Sequence, residues 1–348
     1  MDTATQQGEA AQPQFGPRNP RCTRPMFSVI VPTRDRTLLF ERALLSILAQ
    51  KQVELEVIVV DDGSDDAAAS ACRALALQHP SVRWFSLPRR TKGHGPSFSR
   101  NTGAALAQGR YLCFLDDDDQ WVDQAHLRRC MDSVAAQGTP VDMYLSDQQA
   151  VFADGRVHPG PLWLCGVHAK ASSAADAHGS RRVSTVELLQ APSFAHLNCT
   201  IMRRSLFESL GGFDESLRYE EDRDLYLRAL DAAGLVLYNP AVIGRHHIPD
   251  RHRSDNASTS ASEIEKRIQQ LRICDKLITT AQHPGLRALG RQAKGHTLKR
   301  LAEALWTAGR NRPALIYMDE ALALAFSFKW LAYVALRRVQ ASFTTHRP

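Results

Sequence analysis

Four short runs of apolar, largely β-branched or aromatic residues constrain this chain more than any other feature. They are FSVIV from Phe27, EVIVV (Glu56 to Val60), VRWFS from Val82 and RYLCFL (Arg110 to Leu115), spaced 25 to 30 residues apart. Uninterrupted apolar runs of this length belong to strands covered on both faces, since a strand with one wet face alternates instead. The intervals Thr37 to Gln50, Ser64 to Gln78 and Ser97 to Gln108 read as helices, with Ser64 as an N-cap of the second. Strand and helix alternating at this spacing give an α/β fold, a mostly parallel sheet with helices on both faces. Such sheets bind ligands outside the carboxyl ends of their strands. Polar clusters fall at those ends: Pro32-Thr33-Arg34-Asp35, Asp61-Asp62-Gly63-Ser64, and Asp116 to Asp119.

Val141 to Ser146 reads as a further strand, and the Gly-, Ala- and His-rich stretch from Pro159 to Ser180 as a mobile loop. Asn198 to Leu230 reads as a strand, a helix, a Gly-Gly turn and a helix opening with acids. Beyond about Ala261 the pattern is helical without strand signal. The expected organisation is a disordered leader over residues 1–25, an α/β domain over 26–260 and a helical region over 261–348.

The charge of +6 on 348 residues is compatible with an anionic substrate or a membrane surface, but no basic run is dense enough to indicate nucleic acid. Seven cysteines stand singly, without a CxxC pair, which argues against a zinc site or a disulfide framework and for a reducing compartment. The first residues lack a basic start and an apolar core, so no signal peptide is expected there and a cytoplasmic protein is the reading.

Four consecutive aspartates at the end of a buried strand carry a cost, roughly 1 kcal/mol per pair at ~4 Å even in water. Either water solvates them in a turn or a cation sits among them. In an extended segment Asp116 and Asp118 face one way and Asp117 the other, a geometry that suits Mg²⁺ or Mn²⁺. Asp61-Asp62-Gly63-Ser64 fits a plain turn, or a carboxylate that accepts hydrogen bonds from a nucleobase imide or ribose hydroxyl. Arg100-Asn101 fits a phosphate clamp or an ordinary surface arginine.

FSVIVPTRDR, EVIVVDDGSDD, GPSFSRNTGAALAQGRYLCFLDDDD, GGFDESLRYEEDRDLYLR and a trailing RHH, taken in this order over about Met26 to Ser260, resemble the family-2 glycosyltransferases. The resemblance implies the GT-A fold and an inverting transfer from a nucleotide diphosphate sugar, UDP- or dTDP-linked, with a divalent metal, Mg²⁺ or Mn²⁺. It implies that Pro32, Thr33, Asp61 and Asp62 line the pocket for base and ribose, that Asp117 touches the ribose, and that Arg100 reaches the base or diphosphate. Asp116 and Asp118 then match the metal site. Asp222 matches the general base, preceded by Glu221, and His246 or His247 approaches the metal or diphosphate, with His247 taken as the metal neighbour. The partners implied are the sugar donor and a glycan or lipid-linked acceptor in glycan or cell-surface polysaccharide synthesis.

Departures from the family pattern are informative. Arg34 follows the Thr where many relatives have an aromatic, Glu220-Glu221-Asp222 leaves the base open by one residue, and QQLRI (Gln269 to Ile273) lacks the Trp of a QxxRW segment. That last departure favours single-sugar over processive transfer. Acceptor or donor specificity is expected from the 159–180 loop and around Trp163, His196 and Phe213. The apolar run Glu320 to Arg338 fits a helix packed on the catalytic domain, a helix lying on a membrane surface, or a partner-binding helix. Two rival functions are a catalytically inactive sugar-nucleotide-binding or scaffold protein and a nucleotidyltransferase. The latter usually shows a Gly-rich motif with a basic residue after its first strand, unlike Pro32-Thr33-Arg34-Asp35.

Overall fold

A computed structural model describes residues 25–248 and 261–344. The expected leader therefore lies outside the described residues except for Pro25, as does the end of the expected α/β domain. The strands are β1 (Phe27–Thr33), β2 (Leu55–Asp61), β3 (Val82–Ser86), β4 (Tyr111–Phe114), β5 (Gln120–Trp121), β6 (Met143–Val151), β7 (Arg181–Val183), β8 (Thr200–Arg203) and β9 (Val236–His247). They form one sheet in the order β3-β2-β1-β4-β8-β6-β9-β5, with β7 also on β9. β1, β2, β3 and β4 pair in parallel, as do β6 and β9. β8 runs antiparallel to both β4 and β6, while β5 and β7 run antiparallel to β9.

The uninterrupted apolar runs bury both faces, as their pattern requires. Ile30, Ile58, Val60, Leu112 and Phe114 face one core; Val29, Val31, Val57, Val59 and Cys113 face the other. α1 (Thr37–Leu48), α2 (Asp66–Ala76) and α4 (His126–Ala135) cover the second face. The first is covered by α3 (Pro96–Leu106), α7 (Arg204–Ser209) and α8 (Glu221–Ala232). Between them run the short α5 (Val167–Lys170) and α6 (Thr185–Leu189).

Two local expectations change. Asp65, not Ser64, caps α2 by accepting from the Ala68 N–H at 2.8 Å, because Ser64 is turned to accept from the Asp35 N–H at 2.8 Å. The 159–180 segment is held rather than free, since Leu164 and Val167 are buried in the core.

The helical region consists of α9 (Glu263–Thr280), α10 (Pro284–Thr307), α11 (Asn311–Leu324) and α12 (Phe328–Thr344). α9 docks on the α/β part of the chain, with Ile273 and Leu277 entering its core and Lys276 paired to Asp214 and Asp224 at 2.6 and 2.8 Å. α10 to α12 build a third core around Leu301, Met318 and Trp330. The apolar run Glu320 to Arg338 is split between α11 and α12, and among the described residues no helix is long and apolar enough to cross a membrane.

The position of α3 depends on a close approach. A Cβ on Gly103 would sit 2.5 Å from Cγ2 of Ile30, a fully buried residue of β1. Gly103→Val should therefore overpack this contact and destabilise the fold by about 1–3 kcal/mol in urea denaturation; unchanged stability would show that α3 can move away from β1.

Candidate active site

The carboxyl ends of β1, β2 and β4 bring the first three polar clusters together. β4 ends at Phe114, so the four aspartates occupy a turn, closed by the Asp119 N–H on the Asp116 carbonyl at 3.1 Å, rather than an extended strand. The aspartates therefore do not alternate as strand residues would, and the turn itself sorts them. Asp117 is drawn toward β1, accepting from the Thr33 hydroxyl at 2.8 Å. Asp116, Asp118 and Asp119 converge, offering oxygens within 4.8 Å of one another. Arg36 answers part of this charge, its Nη1 lying 3.0 Å from Asp117 and 3.1 Å from Asp118.

The balance remains negative around Asp118. Burial, followed by the charges of Asp119, Asp117 and Asp116, pushes its carboxyl up to about 7 despite Arg36. Asp119 differs. Burial alone would raise it, but His246, whose Nδ1 is 2.8 Å away, holds it far below the usual carboxylate range. The same pair lifts the His246 imidazole to about 9, although burial acts against that charge. Asn198 and the His247 N–H complete the shell of Asp119 at 2.7 and 2.8 Å. His246, more than His247, therefore joins the acids: a second cluster with metal-ligand spacing contains Asp119, His196 and His246, whereas His247 Nδ1 stands 3.8 Å from Asp119.

The start of α8 supplies the three consecutive acids, Glu220 as the residue before its first turn, and the structure separates them. Glu220, in a left-handed conformation at φ 56°, accepts from Arg223 at 2.9 Å and from Gln270 of α9 at 2.5 Å. Glu221 is buried and accepts from Arg100 at 2.8 Å. Asp222 accepts from its neighbour, the Arg223 N–H, at 2.8 Å, and its Oδ2 faces Nε2 of His196 at 3.9 Å. Burial and then Glu221 push its carboxyl up to about 6, against the pull of His196 and Arg100.

Arg100 occupies a different place from the expected phosphate clamp. Its guanidinium is buried above the Phe213 ring and bridges Glu221 to Asp116, the latter at 2.5 Å. Burial opposes its charge, but Asp116 and Glu221 outweigh that and raise its pKa. Phe213 is itself packed on Phe114 and Phe207, so it supports the site from below. Trp163 and His196 lie beside His246: the Trp163 ring centre is 5.6 Å from that of His246, and the His196 ring is tilted against His246 with centres 4.1 Å apart.

Among the residues expected to line the base and ribose pocket, Asp61 accepts from the Ser64 N–H at 3.0 Å, and its burial raises its pKa. Asp62 accepts from the N–H of His94 at 2.7 Å and of Gly95 at 3.0 Å, and meets His94 Nδ1 at 2.8 Å. It therefore orders the 93–95 loop, leaving spare acceptor capacity on Oδ2. That loop needs glycine, because a Cβ on Gly93 would lie 2.3 Å from Asp62 Oδ2. Pro32 precedes Thr33 at the end of β1. Arg34 donates to the carbonyls of Arg90 and Thr91 and closes the same loop. The QQLRI segment lies on α9, where Gln269 accepts from the Arg218 N–H at 2.6 Å and Arg272 binds Ser216, buttressing the approach to α8.

Residues 28–211 match the profile described as "Glycosyl transferase family 2". The chain belongs to this family. A succinoglycan biosynthesis protein, ExoO, of Rhizobium meliloti is 29% identical over 310 residues, covering 87% of this chain and 83% of that protein. A GalNAc(5)-diNAcBac-PP-undecaprenol beta-1,3-glucosyltransferase of Campylobacter jejuni is 40% identical over 101 residues, 29% of this chain and 32% of that enzyme, so this match spans about a third of the enzyme's length. Among solved structures, S. aureus TarS 1-349 with UDP-GlcNAc superposes with a TM-score of 0.63 at 18% identity, covering 90% of this chain and 88% of that one. The mannosyltransferase PcManGT of Pyrobaculum calidifontis, with GDP-Man and Mn²⁺, gives 0.54 at 21% identity, covering 94% and 88%. These structural matches establish the GT-A fold, and family membership makes the chain a transferase.

The Arg100 bridge should dominate the stability of this family-2 site. Arg100→Leu would leave Asp116 and Glu221 without their shared cation. The expected loss is about 3 kcal/mol, the lower end for a broken buried pair because Asp116 keeps some solvent, read as a shift of the urea midpoint. A variant as stable as the parent would mean that water can replace the guanidinium.

Proposed function

We propose that this chain is an inverting glycosyltransferase that moves a sugar from a UDP- or dTDP-sugar to a hydroxyl of a glycan or lipid-linked acceptor. Asp222 is its general base. The observation that carries this reading is the separation of the three acids on α8: Glu220 and Glu221 are committed to cations and amides, whereas Asp222 keeps an oxygen free toward His196, with Asp116 close by across Arg100. A single displacement at the anomeric carbon needs one base on the acceptor side and no enzyme nucleophile. The succinoglycan biosynthesis named for one relative and the undecaprenol-linked substrate named for the other support an acceptor in cell-surface glycan synthesis. A cytoplasmic place belongs to the same reading.

The donor set fits a hard divalent cation. Three converging carboxylates supply oxygens, and the raised carboxyl of Asp118 marks negative charge that Arg36 does not fully compensate. Asp116 and Asp118 would hold Mg²⁺ or Mn²⁺, with Asp119 and His246 beside them and His247 at the rim. When bound, the ion neutralises charge that develops on the departing nucleoside diphosphate. Thr33 fixes Asp117 at the ribose side, and Pro32, Asp61 and Asp62 wall the base. The spare lone pair of Asp62 Oδ2 suits the imide N–H of uracil or thymine, which favours UDP- and dTDP-sugars over guanosine ones. Trp163 and His196 border the acceptor side.

A donor panel read by nucleoside diphosphate release tests the reaction, and nucleotide binding without turnover would support the inactive-binder alternative instead. Activity should require Mn²⁺ or Mg²⁺ and vanish with a chelator, and Asp118→Ala should weaken UDP binding only when metal is present. Full turnover in a strong chelator would refute the metal assignment.

Asp222→Asn should lower kcat by about 10²–10⁴-fold with donor Kd nearly unchanged, because the base acts on the acceptor hydroxyl. Only the ionised carboxylate accepts a proton. With the Asp222 carboxyl pushed up to about 6, kcat/KM should fall as pH drops below that value and level off above it. Asp222→Asn should erase that acidic limb, and a limb that survives in the variant would belong to another group.

A further inference from the structure

α12 carries two apolar faces. Its inner face buries Trp330 and Val334 in the helical core, and the Trp330 indole N–H donates to the Met318 carbonyl at 3.2 Å. The opposite face is also apolar: Phe328, Ala332, Leu336, Val339 and Phe343 recur at helical spacing and are exposed, Phe328 by 80% and Phe343 by 74%. Phe326, 60% exposed in the turn before α12, packs edge-to-face on Phe328 with ring centres 5.2 Å apart. Lys329 and Arg338 flank this stripe on either side, with Arg338 remaining exposed while paired to Asp319. A helix apolar on two sides is expected to be covered on two sides.

The charge of the region says by what. Residues 284–348 hold eleven Lys and Arg against three Asp and Glu, a net +8 in a chain of net +6, so the other residues sum to −2. We propose that the outward stripe of α12, with the Phe326–Phe328 pair at its tip, docks the enzyme on an anionic lipid bilayer. The aromatic and aliphatic side chains enter the acyl boundary, while Lys329, Arg338 and the basic helices behind them meet the headgroups. A second copy of the chain is a poorer occupant. A two-fold contact through this stripe would set one +8 region against another.

Co-sedimentation of the full chain with vesicles tests the proposal without any need for turnover, so it stands or falls separately from the glycosyltransferase reading. The chain should pellet with phosphatidylcholine vesicles containing phosphatidylglycerol, far less with pure phosphatidylcholine, and progressively less as salt rises. The Phe328→Glu/Val339→Glu double variant should lose about tenfold or more in vesicle affinity. Leu77→Glu, at an exposed apolar residue of the catalytic domain, should lose none. If the double variant melts early, Phe326→Ser/Phe328→Ser at the exposed tip replaces it, with the same loss expected. The proposal is overturned if the parent chain stays in solution with anionic vesicles, if folded stripe variants bind like the parent, or if sedimentation equilibrium shows a dimer that those variants dissolve.

Discussion

The candidate site depends on one buried guanidinium. Arg100 sits on α3, reaches the aspartate turn after β4 through Asp116, and reaches the first turn of α8 through Glu221. Two neighbouring elements and a helix more than a hundred residues further along are thereby fixed around a charge that has almost no access to water. An interior cation of this kind persists only when acceptors on both sides satisfy it, and here those acceptors are themselves acids that would otherwise repel. The bridge therefore resolves two problems together: it neutralises part of the acidic cluster, and it sets the distance between that cluster and Asp222.

The electrostatics grade the acids rather than treating them as one patch. Asp119 is committed to His246, Asp117 to Thr33 and Arg36, Asp116 to Arg100. Burial raises the carboxyls of Asp117, Asp118 and Asp222 alike, but Asp117 accepts hydrogen bonds from both Thr33 and Arg36, whereas Asp118 and Asp222 are left with like charges that outweigh the cations near them. Under the proposed mechanism, these least compensated groups are the ones that meet a metal ion and an acceptor proton. Neutral partners would have stabilised the fold more and left no chemistry to do.

Much of this was legible in the sequence. The four buried strands, their helical intervals and the polar clusters at the strand ends follow from uninterrupted apolar runs and their spacing, which local physics reads directly. Partner choice was not legible. Nothing in the spacing says that Arg36 would turn back to Asp117 and Asp118, that Arg100 would point inward, or that His246 rather than His247 would meet Asp119, since these are decided by the parallel pairing of β1 with β4, the packing of α3 and the path of β9. Asp119 stood in plain view as the fourth aspartate, and the strand-based alternation hid it because the segment is a turn. The break in the apolar tail had a signal as well. The Ser327 hydroxyl accepts from the Trp330 N–H at 3.2 Å, a helix-start contact that S-F-K-W announces.

Glu220 adopts a backbone conformation that non-glycine residues seldom take, and Gln270 of α9 holds its carboxylate in place. Its neighbour two residues along is Asp222. The catalytic domain therefore does not shape its own acidic turn unaided: part of the template is supplied by the helical region, which also anchors Asp214 and Asp224 through Lys276. The two halves form one heritable unit. A recombination event that exchanged the helical region for a foreign one would have to bring along a side chain able to grip Glu220, so the division suggested by composition is not a seam at which the protein can be cut and rejoined.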